Sequence, residues 1–176
     1  MHLVVGIDVG IKNLGLCVFD FSSAKVVFWD NVSLVPNGSY VPMNNVKYVR
    51  EFVQRHQHFF DNAAFVIIER QIRCNMRIVE AVLHTMFYEK VHLIHARSIK
   101  AHYNLGTKNY RMNKQRAVQW AEQFVQNNPN AFALDALQPF TLQKKRDDLA
   151  DSLLLIMYYL DTYSNQLEQE SSDVGL

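Results

Sequence analysis

The chain predicts an α/β fold, and three observations predict it. Three strand-like apolar runs follow one another from the N-terminus with only short, turn-rich breaks between them, the pattern of an antiparallel meander. Two more short apolar runs then alternate with stretches whose apolar residues recur every three or four positions, the period of an amphipathic helix. Only 6 Gly and 4 Pro occur in 176 residues, about half the usual share. Most of the chain is therefore expected to be regular structure.

The elements read in order as β-β-β-α-β-α-β-loop-α-α. Leu3–Val9 is rich in β-branched residues and reads as a buried strand. Leu14–Phe21 and Lys25–Leu34 follow as the second and third strands, and Pro36-Asn37-Gly38 with Pro42 marks a loop. From Asn44 the spacing of Val46, Val49, Phe52, Val53 and His56 predicts a helix. Ala64–Glu69 is apolar up to its final carboxylate, as expected of a central buried strand. Arg73–Glu89 is helical by period, His92–Ala96 is a short strand, and the basic stretch 97–112 reads as a loop. Asn113–Asn127 predicts a helix with Ala117, Trp120, Ala121 and Phe124 on one side, stopped by Asn128-Pro129. Arg146–Tyr163 is the last predicted helix. Residues 1–167 read as a single domain and 168–176 as a flexible acidic tail.

Composition removes several classes. Two cysteines, Cys17 and Cys74, cannot make a disulfide framework and point to a reducing compartment. The longest apolar run, Leu153–Leu160, is far too short to span a bilayer. No basic segment precedes the first apolar stretch, so no secretory signal is expected. The expectation is an intracellular protein with no membrane partner. Net charge is only +1, but the acidic end leaves +4 on residues 1–167. No carboxylate occurs between Lys90 and Glu122, a stretch that holds Arg97, Lys100, Lys108, Arg111, Lys114 and Arg116 with Tyr103 and Tyr110 interleaved. Arg70, Arg73 and Arg77 form a second basic group and Lys144-Lys145-Arg146 a third. Basic segments beside compact acidic ones suit the processing of phosphodiesters.

The acids are few and oddly placed. Asp8 interrupts an apolar strand, where a lone carboxylate is costly without a partner or a cation. It shares a strand face with Val4 and Gly6, and Gly6 and Gly10 leave room beside it for a ligand or for close backbone approach. Glu69 closes a buried strand at its carboxyl end, where sheets open onto ligand sites. Asp147, Asp148 and Asp151 begin the last helix; Asp151 shares a face with either of the other two, and helical geometry does not choose between them. Carboxylates converging in one mouth repel unless a cation joins them. All-oxygen ligands, without His or Cys at metal spacing, favour Mg²⁺ or Mn²⁺.

Three marks in this order carry a family resemblance. They are Gly6-Ile7-Asp8-Val9-Gly10 with Asn13-Leu14-Gly15, then Ile67-Ile68-Glu69-Arg70-Gln71, and finally Lys144-Lys145-Arg146 followed by Asp147-Asp148-Leu149-Ala150-Asp151-Ser152-Leu153-Leu154. From Leu3 to about Leu160 the chain resembles the RuvC-like Holliday-junction resolvases of the RNase H-like superfamily, above all their poxvirus-type branch, with the fungal mitochondrial resolvases more distant. The resemblance implies a mixed five-stranded sheet flanked by helices. It implies Asp8, Glu69, Asp148 and Asp151 as an acidic tetrad holding two Mg²⁺, for which Mn²⁺ would substitute, and selects Asp148 over Asp147 through the pattern D-x-x-D. It also implies a catalytic lysine, for which Lys114, ahead of Gln115-Arg116-Ala117-Val118, is the better match and Lys108 the second.

The implied activity is a metal-dependent endonuclease that resolves Holliday junctions and related branched DNA. One metal would activate water and the other would stabilise the leaving 3′-oxygen, giving symmetric nicks with 5′-phosphate and 3′-hydroxyl ends. Arg70, Arg73, Arg77, Lys100, Lys108, Arg111 and Arg116 are the candidates for holding DNA phosphates. No small-molecule cofactor is expected, and a viral protein of this branch would work in the host cytoplasm. Two other readings compete: an RNase H-like nuclease for RNA–DNA hybrid or flapped DNA, and an actin-like phosphotransferase lobe, whose second lobe has no room in 176 residues. Family members act as homodimers on two-fold-symmetric junctions. The helix after Glu69 carries one apolar stripe of Ile78, Val79, Val82 and Met86, expected to face the core, and a second of Met76, Leu83 and Phe87, expected to be the dimer seam.

Overall fold

The computed structural model describes the backbone of residues 2–143 and 146–173 and the side chains of these up to Tyr163. Five strands form one sheet: β1 (Leu3–Asp8), β2 (Leu14–Asp20), β3 (Lys25–Val32), β4 (Ala63–Glu69) and β5 (Val91–Ile94), in the order β3-β2-β1-β4-β5. β1, β2 and β3 make the antiparallel meander expected from their short breaks. β4 and β5 add in parallel on the other side of β1, after helical crossovers. The centre of the sheet is buried on both faces, which is why β1 and β4 are almost wholly apolar.

Alternation along β1 divides the core in two. Val5 and Ile7 face α1 (Asn45–Arg55), α2 (Gln57–Asp61) and α3 (Cys74–Met86), with Phe52, Phe60, Val79 and Leu83 packed against them. Val4 faces the other side, where Cys17, Trp29 and Ile67 meet α5 (Tyr110–Asn127), α6 (Gln138–Leu142) and α7 (Asp147–Asp173). α7 lies along β1 and β2, and its apolar run Leu153–Ile156 is fully buried. Glycine lets it come that close. A Cβ on Gly6 would stand 2.7 Å from Ile156 Cγ1, and one on Gly15 would overlap the carbonyl of Asp148.

The structure departs from the expectations in four places. His56 does not continue a helix; it ends α1, and α2 follows after it. The basic stretch 97–112 is not a loop throughout. Residues 96–102 form α4 (Ala96–His102), because Ala, Arg and Lys favour helix whatever their charge and Ile99 has the core to bury in. α5 begins at Tyr110, with the Asn109 side chain accepting from the N–H groups of Arg111 and Met112. α7 continues to Asp173, so residues 168–173 of the expected tail are helical in backbone, while 174–176, Lys144 and Lys145 lie outside the described residues.

The expected facing of α3 holds only in part: Val79 and Val82 of the first stripe pack on the core as expected, and the second stripe joins them there. Leu83 is fully buried, Phe87 nearly so, and Met76 packs half-buried on the same core, so none of the three forms an exposed seam. Phe87 stacks on Phe60 with ring centroids 4.7 Å apart, and that flat contact sets the rotation of the helix. Ile78 and Met86 of the other stripe are left 40% and 42% exposed, beside Ile72 at 92% and Val46 of α1 at 52%. Among the described residues no helix is long and apolar enough to cross a membrane.

Candidate active site

Three pieces of backbone bring the acids together. Asp8 and Glu69 end the parallel neighbours β1 and β4, one residue beyond the paired Ile7 and Ile68. Asp8 is also opposite Gly15 of β2, and Gly15 is where the first turn of α7 touches the sheet. Asp148 and Asp151 therefore arrive over the mouth formed by Asp8 and Glu69. Gly6 and Gly15 make the close backbone approach possible, whereas Gly10 turns the chain against Asn13.

The electrostatics record the crowding. Burial, then the charges of Glu69, Asp151 and Asp148, hold the Asp8 carboxyl well above its usual range, and Lys114 only partly offsets them. Burial and Asp151 push Glu69 up to about 7, against Lys100 and Lys114. Asp151 is also raised, by burial first, although Lys100 and Lys114 pull it down. All three side chains keep some surface open to solvent while ringed by protein.

Two lysines face this cluster. Lys114, projecting from α5, ion-pairs with Asp147, lies 4.0 Å from Asp148 and sits over the Tyr110 ring at 5.4 Å. Its own burial works against the ammonium, but the hydrogen bond and charge of Asp147 overcome that and keep it above its ordinary value. Lys100 of α4 is the second, sensed by both Glu69 and Asp151. The sequence offers it as a candidate for holding DNA phosphates in a basic loop, and only the helix that carries it brings it to the acids. Lys108 is exposed in the segment before α5. Arg70, Arg73, Arg77, Arg111 and Arg116 are likewise exposed, and among the described residues no ion pair occupies them. Arg146 is tied to Glu122 at 2.8 Å.

The donor set suits a hard divalent ion. The side chains gathered there offer only carboxylate oxygens as acceptors, and a cation would remove the repulsion that lifts Asp8, Glu69 and Asp151. Among the described residues no group of three or more His, Cys, Asp or Glu stands in metal-binding geometry.

The family model described as Poxvirus A22 protein matches residues 2–163. The chain belongs to that family. No curated protein matches it significantly. Among solved structures, the fowlpox virus Holliday junction resolvase is 21% identical, with 91% of this chain and 98% of that one covered at a TM-score of 0.62. The yeast mitochondrial Holliday junction resolvase Ydc2 is 20% identical over 94% and 85%, with a TM-score of 0.67. RuvC of T. thermophilus, solved with a Holliday junction substrate, is 18% identical over 92% and 96%, with a TM-score of 0.52. The mixed five-stranded sheet with its flanking helices is thus the RuvC-like, RNase H-like fold.

Proposed function

We propose that this chain is a metal-dependent endonuclease that resolves Holliday junctions and related branched DNA. The observation that carries the proposal is the convergence of Asp8, Glu69, Asp148 and Asp151 at one mouth of a RuvC-like sheet in a member of the poxvirus A22 family. These four would hold two Mg²⁺, or Mn²⁺ in their place. Held by these acids, the ions would lend Lewis acidity for activating water and for balancing charge on the leaving 3′-oxygen. Lys114, steadied by Asp147, would orient the scissile phosphate, and Lys100 would sit against the same acids from the α4 side. Exposed Arg70, Arg73, Arg111 and Arg116 would hold the arms of the junction by their phosphates. The products would be nicks with 5′-phosphate and 3′-hydroxyl ends.

A four-way junction offers two equivalent strands, so we place two copies of the chain about a two-fold axis. The seam falls on the groove between α1 and α3, about 830 Å³, lined by Val46, Ile72, Ile78, Val82 and Met86. Its edge carries Lys47, Arg50 and Glu51, with Lys47 and Glu51 3.8 Å apart. The protein would act in the host cytoplasm, where viral DNA is copied. A substrate panel tests the reading: with Mg²⁺, a synthetic four-way junction should be cut faster than a flap or an RNA–DNA hybrid. Preferential cutting of the hybrid would overturn the substrate while keeping the chemistry.

A further inference from the structure

Trp29 is the largest fully buried side chain of β3, and its environment is unusually specific. The indole stacks on Phe140 with centroids 4.4 Å apart and planes 17° apart, and on Phe132 at 5.7 Å and 29°. Its N–H donates to the backbone carbonyl of Leu149 at 2.8 Å, across 120 positions of sequence. A buried indole N–H needs an acceptor, but any nearby carbonyl would serve. The one used belongs to the first turn of α7, between Asp148 and Asp151. The same carbonyl also receives the Ser152 hydroxyl at 2.8 Å.

The two residues after Trp29 hold the chain just before that turn. Gln143 Nε2 donates to Asp30 Oδ1, and Asn31 Nδ2 donates to Gln143 Oε1, both at 2.8 Å. Consecutive residues of one edge strand therefore hold the first turn of α7, through Trp29, and the end of α6 at Gln143, through Asp30 and Asn31. The sheet has an easier way to bury an apolar ring than this, since Phe would stack equally well and has no polar atom to satisfy.

We propose that Trp29 is a positioning residue of the acidic site: its hydrogen bond to Leu149 sets the first turn of α7, and so sets Asp148 and Asp151 against Asp8 and Glu69. It touches no reacting atom and acts through the helix. The inference rests on the proposal that these acids hold a divalent metal. Outer-shell partners of a metal commonly cost about tenfold or more in affinity when lost, so about a tenfold loss is expected here.

The test is Mn²⁺ binding to the DNA-free protein, followed by electron paramagnetic resonance, alongside single-turnover cleavage of a four-way junction. Two changes remove the donor and keep the stack: Trp29→Phe, and replacement of the indole N–H by sulfur in an isosteric ring. Leu155→Ala, buried in α7 beyond the gripped turn, serves as the control for lost stability. Both donor-free proteins should bind Mn²⁺ about tenfold more weakly and cleave correspondingly more slowly at low metal. Excess metal should recover most of the rate, and metal-free junction affinity should be unchanged. Leu155→Ala should melt earlier with wild-type Mn²⁺ affinity. Wild-type Mn²⁺ affinity in the sulfur isostere overturns the proposal, as does an equal loss in Leu155→Ala. A wild-type protein that binds Mn²⁺ but cuts no junction would refute the function while the resonance titration still decides the role of Trp29. A wild-type protein that binds no Mn²⁺ refutes both.

Discussion

Removing one negative charge from the acidic mouth should stabilise the metal-free protein, and Glu69→Gln is the sharpest way to see it. In the folded chain Glu69 releases its proton near 7, against an ordinary 4.5. Between those values the folded state keeps a proton that the unfolded state has lost. The stabilisation is therefore full below about pH 4.5 and disappears as pH rises through 7. At about 1.36 kcal/mol per unit the shift corresponds to about 3 kcal/mol, and partial exposure of the side chain reduces that to about 2 kcal/mol. For a chain of this length that is about 4–8 °C of melting temperature. Calorimetry in EDTA should show the wild type losing that much more than Glu69→Gln between pH 5 and pH 8. Mg²⁺ at pH 8 should restore the wild type and leave the variant nearly unmoved, by mass action on the folded state. Equal losses in the two proteins, or a variant less stable than the wild type at pH 8 in EDTA, would refute the reasoning.

Asp148→Asn should lower single-turnover junction cleavage by about 10³-fold, several kcal/mol of transition-state stabilisation, whereas Asp147→Asn should lower it far less; the opposite ranking would make Asp147 the ligand. Lys114→Ala should slow the single-turnover rate more than it weakens junction binding, because its ammonium lies beside Asp147 and Asp148. Lys108→Ala should mainly weaken junction binding, and rate loss confined to Lys108→Ala would move the role there. Met86→Glu should convert a dimer to a folded monomer in sedimentation, because two like charges would be desolvated together across the axis; an unchanged dimer would place the seam elsewhere.

Much of this arrangement was legible in the sequence. The strands declared themselves because each is a short apolar run bounded by turn residues, and the acids stood out because Asp8 and Glu69 sit where burial makes a carboxylate costly. The facing of α3 was not legible. Both its stripes are apolar at helical spacing, and the buried face takes Val79 from one and Leu83 from the other, with Phe87 stacked on Phe60, 27 residues away in sequence. α4 was hidden by its charge, since Arg97 and Lys100 read as a phosphate-binding loop until Ile99 is seen in the core. The same misreading concealed Lys100 beside Glu69 and Asp151. The bond from Trp29 to Leu149 joins residues 120 apart, and no local pattern marks either end of it.

The central claim is that four acids on this sheet make a metal-dependent junction resolvase, and one gel tests it most directly. A synthetic four-way junction, labelled in turn on each strand, is incubated with the wild type and with Asp8→Asn, in Mg²⁺ and in EDTA. The account predicts paired cuts in opposite strands by the wild type in Mg²⁺ alone, with ends that a ligase seals, and a bound but uncut junction with Asp8→Asn. Cutting in EDTA, or cutting by Asp8→Asn at the wild-type rate, would contradict it.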